Sequence, residues 1–318
     1  MKSFIKNIIF FSIFGSVFYV VVLPIWSQIM PPFMAKNVRS CVGCYGHLLS
    51  RTRDVSRLEK SPDILFLGSS HAYRGFDTRV FSKNGITAFN LGSSSQTPIN
   101  TKVLLKQYLD DIKPKMIVYE VYAGTLSADG VESSLDMLSN NRVDKNAIKM
   151  VSEVKHLAVF NTAIYGLYRQ MLGLNKTFYE PNIQNDDVYV QGGGFVETKF
   201  KKNPMLEETK GKWELNPKQI EALKENLDYI KKRNIPYILV QSPITKKLYE
   251  SKTNNKSVDS LLSTLGTYKN FYGELPLNDT IDFYDSNHLN QKAVVKFNES
   301  FIVYFKGLSK SGGRGRDN

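Results

Sequence analysis

The stretch FLGSSHAYRGFD (residues 66–77) ends an apolar run, Ile64-Leu65-Phe66-Leu67, with a glycine, two serines and a histidine. A segment that reads as helix follows. A short apolar strand that stops at glycine and passes into a helix is the opening unit of a parallel α/β sheet. It also brings the hydroxyls of Ser69 and Ser70 to the carboxyl end of a strand. They form either a polar turn or a presented nucleophile, and the rest of the chain has to decide between the two.

Further strand candidates follow at residues 87–91, 116–121 and 236–241, with a weaker fifth at 281–284. Helices with readable starts lie between them. Thr97-Pro98 places a capping hydroxyl before a proline at the first helical position, and that helix runs to about residue 112. Asn216-Pro217 repeats the device ahead of Ile220, Leu223, Leu227 and Ile230, which share one face. Asn290 can cap a last helix carrying Val294, Phe297, Phe301 and Phe305. Lone strands separated by helices predict a parallel sheet covered on both faces.

The gap between the third and fourth strands is too long for a connection. Residues 123–215 predict helices near 131–139 and 143–173, then an irregular stretch containing Gly192-Gly193-Gly194. The triglycine lacks the strand, Lys and Ser/Thr of a phosphate loop, and reads as a flexible turn or a close backbone approach to a ligand. We expect this insertion to form a lid over the strand ends. Tyr179, Tyr189, Phe195 and Phe200 would be either sugar-stacking platforms or the insertion's own small core. Tyr189 and Gly193 are its substrate-binding candidates.

The N-terminus carries a second organising signal. From Asn7 to Trp26 there is no charged residue, and twenty helical residues span about 30 Å, one hydrocarbon core. Lys2 and Lys6 precede the run, and no A-x-A-like cleavage site follows it. The expectation is an uncleaved anchor over residues 7–26, with residues 1–6 cytoplasmic and the large domain, residues 61–308, outside the cytoplasm. Residues 27–60 read as a polar connector and 309–318 as a disordered tail. Cys41 and Cys44 predict a local disulfide in an exported stalk rather than a redox or zinc site. The net charge of +12 is scattered in small clusters, and there is no nucleic-acid signature. No cofactor and no metal are implied.

In open parallel sheets, reactive groups gather outside the carboxyl ends of the strands. Three segments qualify: Gly68-Ser69-Ser70-His71, Asn90-Leu91-Gly92-Ser93, and Tyr284-Asp285-Ser286-Asn287-His288-Leu289-Asn290. Asp285 and His288, three residues apart, can face the same way in one tight turn, so the carboxylate can orient the imidazole. An imidazole titrates in the range suited to taking a serine proton, and a serine is a weak nucleophile without such a partner. Of the four histidines, His47 falls in the connector and His156 on a helix of the insertion. His71 adjoins the serines as a supporting group or as a turn residue.

This pattern resembles the SGNH (GDSL-type) hydrolase superfamily over about residues 62–122 and 235–307. Gly68-Ser69-Ser70 is similar to its first block, Gly92 to the glycine of the second, and Asp285-x-x-His288 to the last. The resemblance implies a flavodoxin-like three-layer α/β/α sandwich and a Ser70–His288–Asp285 triad acting on esters. Its oxyanion hole would use the N–H groups of Ser70 and Gly92. The superfamily's third block supplies an asparagine after the third strand, whereas this chain reads Val118-Tyr119-Glu120-Val121-Tyr122. Ser93, Ser94 or Gln96 would have to compensate, and His71 and Gln96 join the substrate-contact candidates.

The anchor, the first block and the terminal Asp-x-x-His-Leu-Asn also resemble the D-alanyl-lipoteichoic acid biosynthesis and alginate O-acetylation proteins. That narrower likeness implies acyl transfer to or from a cell-envelope glycan, commonly beside a multispanning membrane O-acyltransferase. The expected function is an extracytoplasmic serine O-acyltransferase or esterase. The alternative is a non-catalytic, membrane-tethered glycan-binding or assembly protein that keeps the fold.

Overall fold

The computed structural model describes residues 1–31, 33–38, 41–44, 46–198, 203–204 and 207–312. Phe200 and the end of the tail lie outside the described residues. In chain order the first elements are α1 (Lys2–Ile29), α2 (Leu48–Val55), β1 (Ile64–Leu67), α3 (Ser70–Tyr73), α4 (Thr78–Lys83), β2 (Ala88–Asn90), α5 (Pro98–Ile112) and β3 (Met116–Glu120). The insertion holds α6 (Ala123–Ser127), α7 (Val131–Asn140), α8 (Lys145–Val154), α9 (Leu157–Met171), α10 (Leu174–Thr177), β4 (Ile183–Gln184), β5 (Asp187–Val190) and β6 (Phe195–Thr198). The chain closes with α11 (Pro217–Lys231), β7 (Tyr237–Gln241), α12 (Lys246–Ser251), α13 (Asn255–Ser263), β8 (Tyr268–Asn270) and α14 (Gln291–Gly312).

The main sheet is parallel with strand order β2-β1-β3-β7-β8. Strand alternation divides the core between its faces. Leu65 and Leu67 of β1, Ile117 and Tyr119 of β3, and Leu239 of β7 point to the layer of α5 and α11. Ile64, Phe66, Val118, Ile238 and Val240 point to the layer of α4 and α14, where Phe66, Phe76, Phe81 and Phe301 pack ring on ring. The result is a three-layer α/β/α sandwich. The order reverses direction between β1's two neighbours, which opens a crevice at the carboxyl ends of β1 and β3.

Three local expectations need correction. Residues 281–284 form no strand of the main sheet; the fifth strand is β8, which pairs with β7 through Leu239, Val240 and Gln241. The 281–284 segment turns instead through a single bridge from Phe283 to Leu289. The helix expected over 143–173 is two helices, because Lys155 adopts a left-handed conformation and the His156 side chain caps the next helix at the Ala158 N–H. The supposed polar connector contains α2, whose Leu48, Leu49 and Val55 are buried.

The insertion also departs from an irregular lid. Its β4-β5-β6 hairpins form an antiparallel sheet that guards the β2 edge, where the Asn90 N–H bonds the Gly193 carbonyl. Among its described residues only the first part, Gly124 to Ser133, lines the crevice.

Among the described residues one helix, α1, is long and apolar enough to cross a membrane. Its last third packs onto the domain, burying Leu23, Pro24 and Ser27.

Candidate active site

Ser70 is the first residue of α3, immediately after β1. Gly68 makes the turn with φ +133°, and a Cβ there would stand 2.7 Å from the Glu120 carbonyl oxygen, so only glycine fits. Ser69 caps the turn: its Oγ accepts the His71 N–H at 3.3 Å, and its carbonyl accepts those of Ala72 and Tyr73. Ser69 is buried as a result, while Ser70 faces the crevice with its own N–H unpaired among the described residues.

The opposite wall is the loop between β8 and α14. The Tyr284 N–H bonds the His288 carbonyl at 2.8 Å, and the Asn290 N–H bonds the Asp282 carbonyl at 3.0 Å. Thr245 clamps the Ser286 carbonyl through both its N–H and its hydroxyl. Within this pinned turn, His288 Nδ1 lies 2.8 and 3.0 Å from the two Asp285 oxygens, and Nε2 lies 2.7 Å from Ser70 Oγ. The polarity follows from chemistry: the carboxylate accepts from Nδ1–H, which leaves Nε2 to accept from the serine hydroxyl.

Burial alone would raise the Asp285 pKa. The His288 ring and the backbone N–H groups of Asn287 and His288 overcome it and hold the carboxyl at about 2. Asp285 is therefore anionic throughout the neutral range.

A buried polar layer lies behind the nucleophile, and sequence reasoning missed most of it. The His71 ring stacks on His288, with centroids 4.7 Å apart and planes 22° apart, and on Tyr122 at 4.1 Å. Its Nδ1 is 3.1 Å from Ser69 Oγ. Burial, and then the neighbouring His288, hold its pKa well below the ordinary histidine value, so it stays neutral. Glu120 occupies the β3 end where the resembled superfamily has its asparagine-bearing block. Burial pushes its carboxyl up to about 8 despite hydrogen bonds from the Ser242 and Tyr122 backbone and from Ser69. A buried carboxyl at the end of β3 was visible in the sequence; its protonation was not.

The oxyanion side differs from expectation. The Gly92 N–H is taken by Asn90 Oδ1 at 3.0 Å, while Asn90 Nδ2 holds the Ala72 carbonyl at 2.7 Å. Of the two expected amides, Ser70's is the one left open. Ser95, in a left-handed conformation, lines the cavity beside it.

The substrate-contact candidates separate cleanly. His71 lines the cavity, and Gln96, Tyr189 and Gly193 do not. Gln96 is buried between the Ser93 and Thr101 hydroxyls. Tyr189 is 4% exposed, stacks on His47 and donates its hydroxyl to Asp54 at 2.8 Å. Phe195 is wholly buried in the core. A side chain at Gly193 would collide with Thr78. Tyr189, Gly193 and Phe195 seat the small sheet on the domain. Of the insertion's candidate aromatics Tyr179, Tyr189 and Phe195, Tyr179 is the exposed one.

The cavity at the triad measures ≈ 300 Å³ and is walled by Tyr122, Thr125, Ser133 and Asn287, with Asp129 and Glu132 as its charged rim. Among the described residues no cluster of His, Cys, Asp or Glu is placed to hold a metal ion.

No family model matches the sequence, and no curated protein matches it. Among solved structures, the chain is similar to a GDSL-like lipase from Bacteroides thetaiotaomicron at 10% identity and a TM-score of 0.40, covering 81% of this chain and 98% of that one. A putative acylhydrolase from Bacteroides fragilis matches at 11% identity and a TM-score of 0.40, over 82% and 98% of the two chains. A lipase/acylhydrolase from Enterococcus faecalis matches at 12% identity and a TM-score of 0.38, over 77% and 95%. These likenesses carry no chemistry to this chain; its side chains do.

Proposed function

We propose that this protein is a membrane-anchored serine esterase or O-acyltransferase acting on acyl esters of a cell-envelope glycan, with its domain outside the cytoplasm. The observation that carries the proposal is the relay from Ser70 Oγ through His288 to Asp285, each step within 2.8 Å. In this reading Ser70 Oγ attacks the ester carbonyl while its proton passes to His288 Nε2. The oxyanion meets the Ser70 N–H. Collapse of the tetrahedral intermediate expels the alcohol, which takes the proton back from His288, and leaves an acyl-serine. Water completes hydrolysis; a glycan hydroxyl completes transfer.

The small cavity supports acyl rather than polymer binding at the serine, with the glycan approaching from the open side. The apolar α1 and the Cys41–Cys44 disulfide support placement at a membrane on its oxidising side. A multispanning membrane O-acyltransferase as acyl supplier belongs to the same proposal.

One observation favours the non-catalytic alternative: the Gly92 amide is occupied, and the loss of an oxyanion donor typically costs about 10²–10³ in turnover. Labelling of the intact protein by a fluorophosphonate probe separates the two. The enzyme reading expects labelling that Ser70→Ala abolishes and Ser69→Ala retains. No labelling of the wild type, with glycan binding unaffected by Ser70→Ala, establishes the alternative.

A further inference from the structure

Helix α9 carries an apolar stripe that the domain leaves exposed at both ends and half-covers at Ile164 and Tyr168. Leu157, Phe160, Ile164, Tyr168 and Met171 recur three and four residues apart and so share a face. Leu157 and Phe160 are each 59% exposed and Met171 85%. The other side of the helix, with Ala158, Val159, Thr162 and Ala163, is buried toward α7. Scattered apolar side chains on a surface need no explanation; a stripe four turns long does.

The stripe adjoins the anchor. Asn161 lies four residues after Leu157 and three before Ile164, on the border of the stripe, and accepts the Tyr19 hydroxyl of α1 at 2.7 Å. Tyr19 is the thirteenth residue of the uncharged run that starts at Asn7, which puts it about 20 Å along the axis from the start of that run. In a hydrocarbon core of about 30 Å that is about 10 Å short of the far boundary, the depth to which an interfacial helix sinks its apolar face. Asn161 meets α1 at that level. Lys155 and Lys176, both exposed, stand just beyond the two ends of the stripe.

We infer that the α9 stripe lies in the membrane interface beside α1, its occupant the lipid bilayer, so that the domain rests on the membrane along a helix rather than swinging from a tether. An interfacial helix presents an apolar face to the acyl boundary and cations to the headgroups, and both are found here. The inference rests on α1 being a membrane span and goes beyond it. It fixes the height and tilt of the Ser70 crevice above the lipid, so acceptors are reached at a set distance.

Full-length protein in phosphatidylcholine–phosphatidylglycerol vesicles tests this. Single cysteines for an environment-sensitive fluorophore replace Phe10 in α1, Phe160 and Met171 on the stripe, and exposed Lys224 on α11, with the Cys41–Cys44 disulfide kept intact. The expected result is a blue-shifted emission at Phe160→Cys and Met171→Cys, quenched by spin-labelled lipid as strongly as at Phe10→Cys. Lys224→Cys should be quenched by aqueous iodide alone. Iodide quenching at the stripe with lipid quenching at Phe10→Cys overturns the inference and leaves the anchor standing. Stripe labels shielded from both quenchers mean a protein partner and overturn it too. No lipid quenching at Phe10→Cys removes the anchor, and the inference falls with it.

Discussion

The imidazoles of His71 and His288 stack with centroids 4.7 Å apart, and burial keeps the first of them neutral. His71 is the buried ring, held neutral by that burial and by its neighbour, and in the proposed reaction it is His288 Nε2, 2.7 Å from Ser70 Oγ, that takes the serine proton. The stack also fixes the plane of His288 from the side that Asp285 does not reach. His71→Ala is expected to lower kcat on a small ester by about 10- to 100-fold through loss of that alignment, with KM little changed. His71→Phe, which keeps a flat ring, should recover part of the loss. Steady-state kinetics on the two variants checks this, and equal loss in both would point to the Ser69 contact instead.

Asp285 sets the tautomer of His288. With the carboxyl held at about 2, its stabilising interaction is complete above the ordinary carboxylate range and is lost as pH falls toward 2. Asp285→Asn should keep the fold at neutral pH but present the wrong ring nitrogen to Ser70, lowering kcat by roughly 10⁴. Rates of fluorophosphonate labelling would show the same drop.

Glu120 acts on stability in the opposite sense. Its carboxyl ionises at about 8 in the fold against 4.5 for the free side chain, so the folded state keeps a proton that the unfolded chain gives up. Stability from this group is complete below about pH 4.5 and is lost as pH rises to about 8, by an upper limit of about 5 kcal/mol. Glu120→Gln, neutral and of the same shape, should remove that slope. Its melting temperature is expected to exceed that of the wild type by a margin that widens between pH 5 and pH 8. Parallel melting curves for the two proteins across that range would refute the assignment.

Gly193 is a packing residue, because a methyl there would strike Thr78. Gly193→Ala is expected to destabilise the domain by about 1–3 kcal/mol, with equal activity losses on small and polymeric esters above its melting onset. Thr78→Ala in the same chain should return part of the stability. Chemical denaturation of both single variants and the double variant measures that coupling.

The sheet was legible because β1, β3 and β7 are continuous apolar runs between turn residues, which buried parallel strands require. Ser70 was legible because it falls where β1 ends, and Asp285 and His288 because they stand three apart ahead of the last helix, although no strand precedes them. β8 was not, since Tyr268, Lys269 and Asn270 at a half-exposed sheet edge carry no apolar run. The role of α2 was hidden by its charge: Arg51 is wholly buried, donating to the Gly46 and Gly194 carbonyls and lying over the Tyr73 ring. The Asn90 hold on Gly92 is a side-chain contact across one turn, and no spacing rule announces it.

The hydrogen bond between Tyr19 and Asn161 has a practical consequence for anyone preparing a soluble fragment. Deleting residues 1–29 would do more than remove an anchor. It would strip the cover from Asn161 and open the apolar trough of ≈ 480 Å³ between the anchor and the segment around Met34 and Val38. Such a fragment is expected to self-associate in plain buffer and to behave as a single species in mild detergent, even though every residue of the Ser70 crevice remains in place.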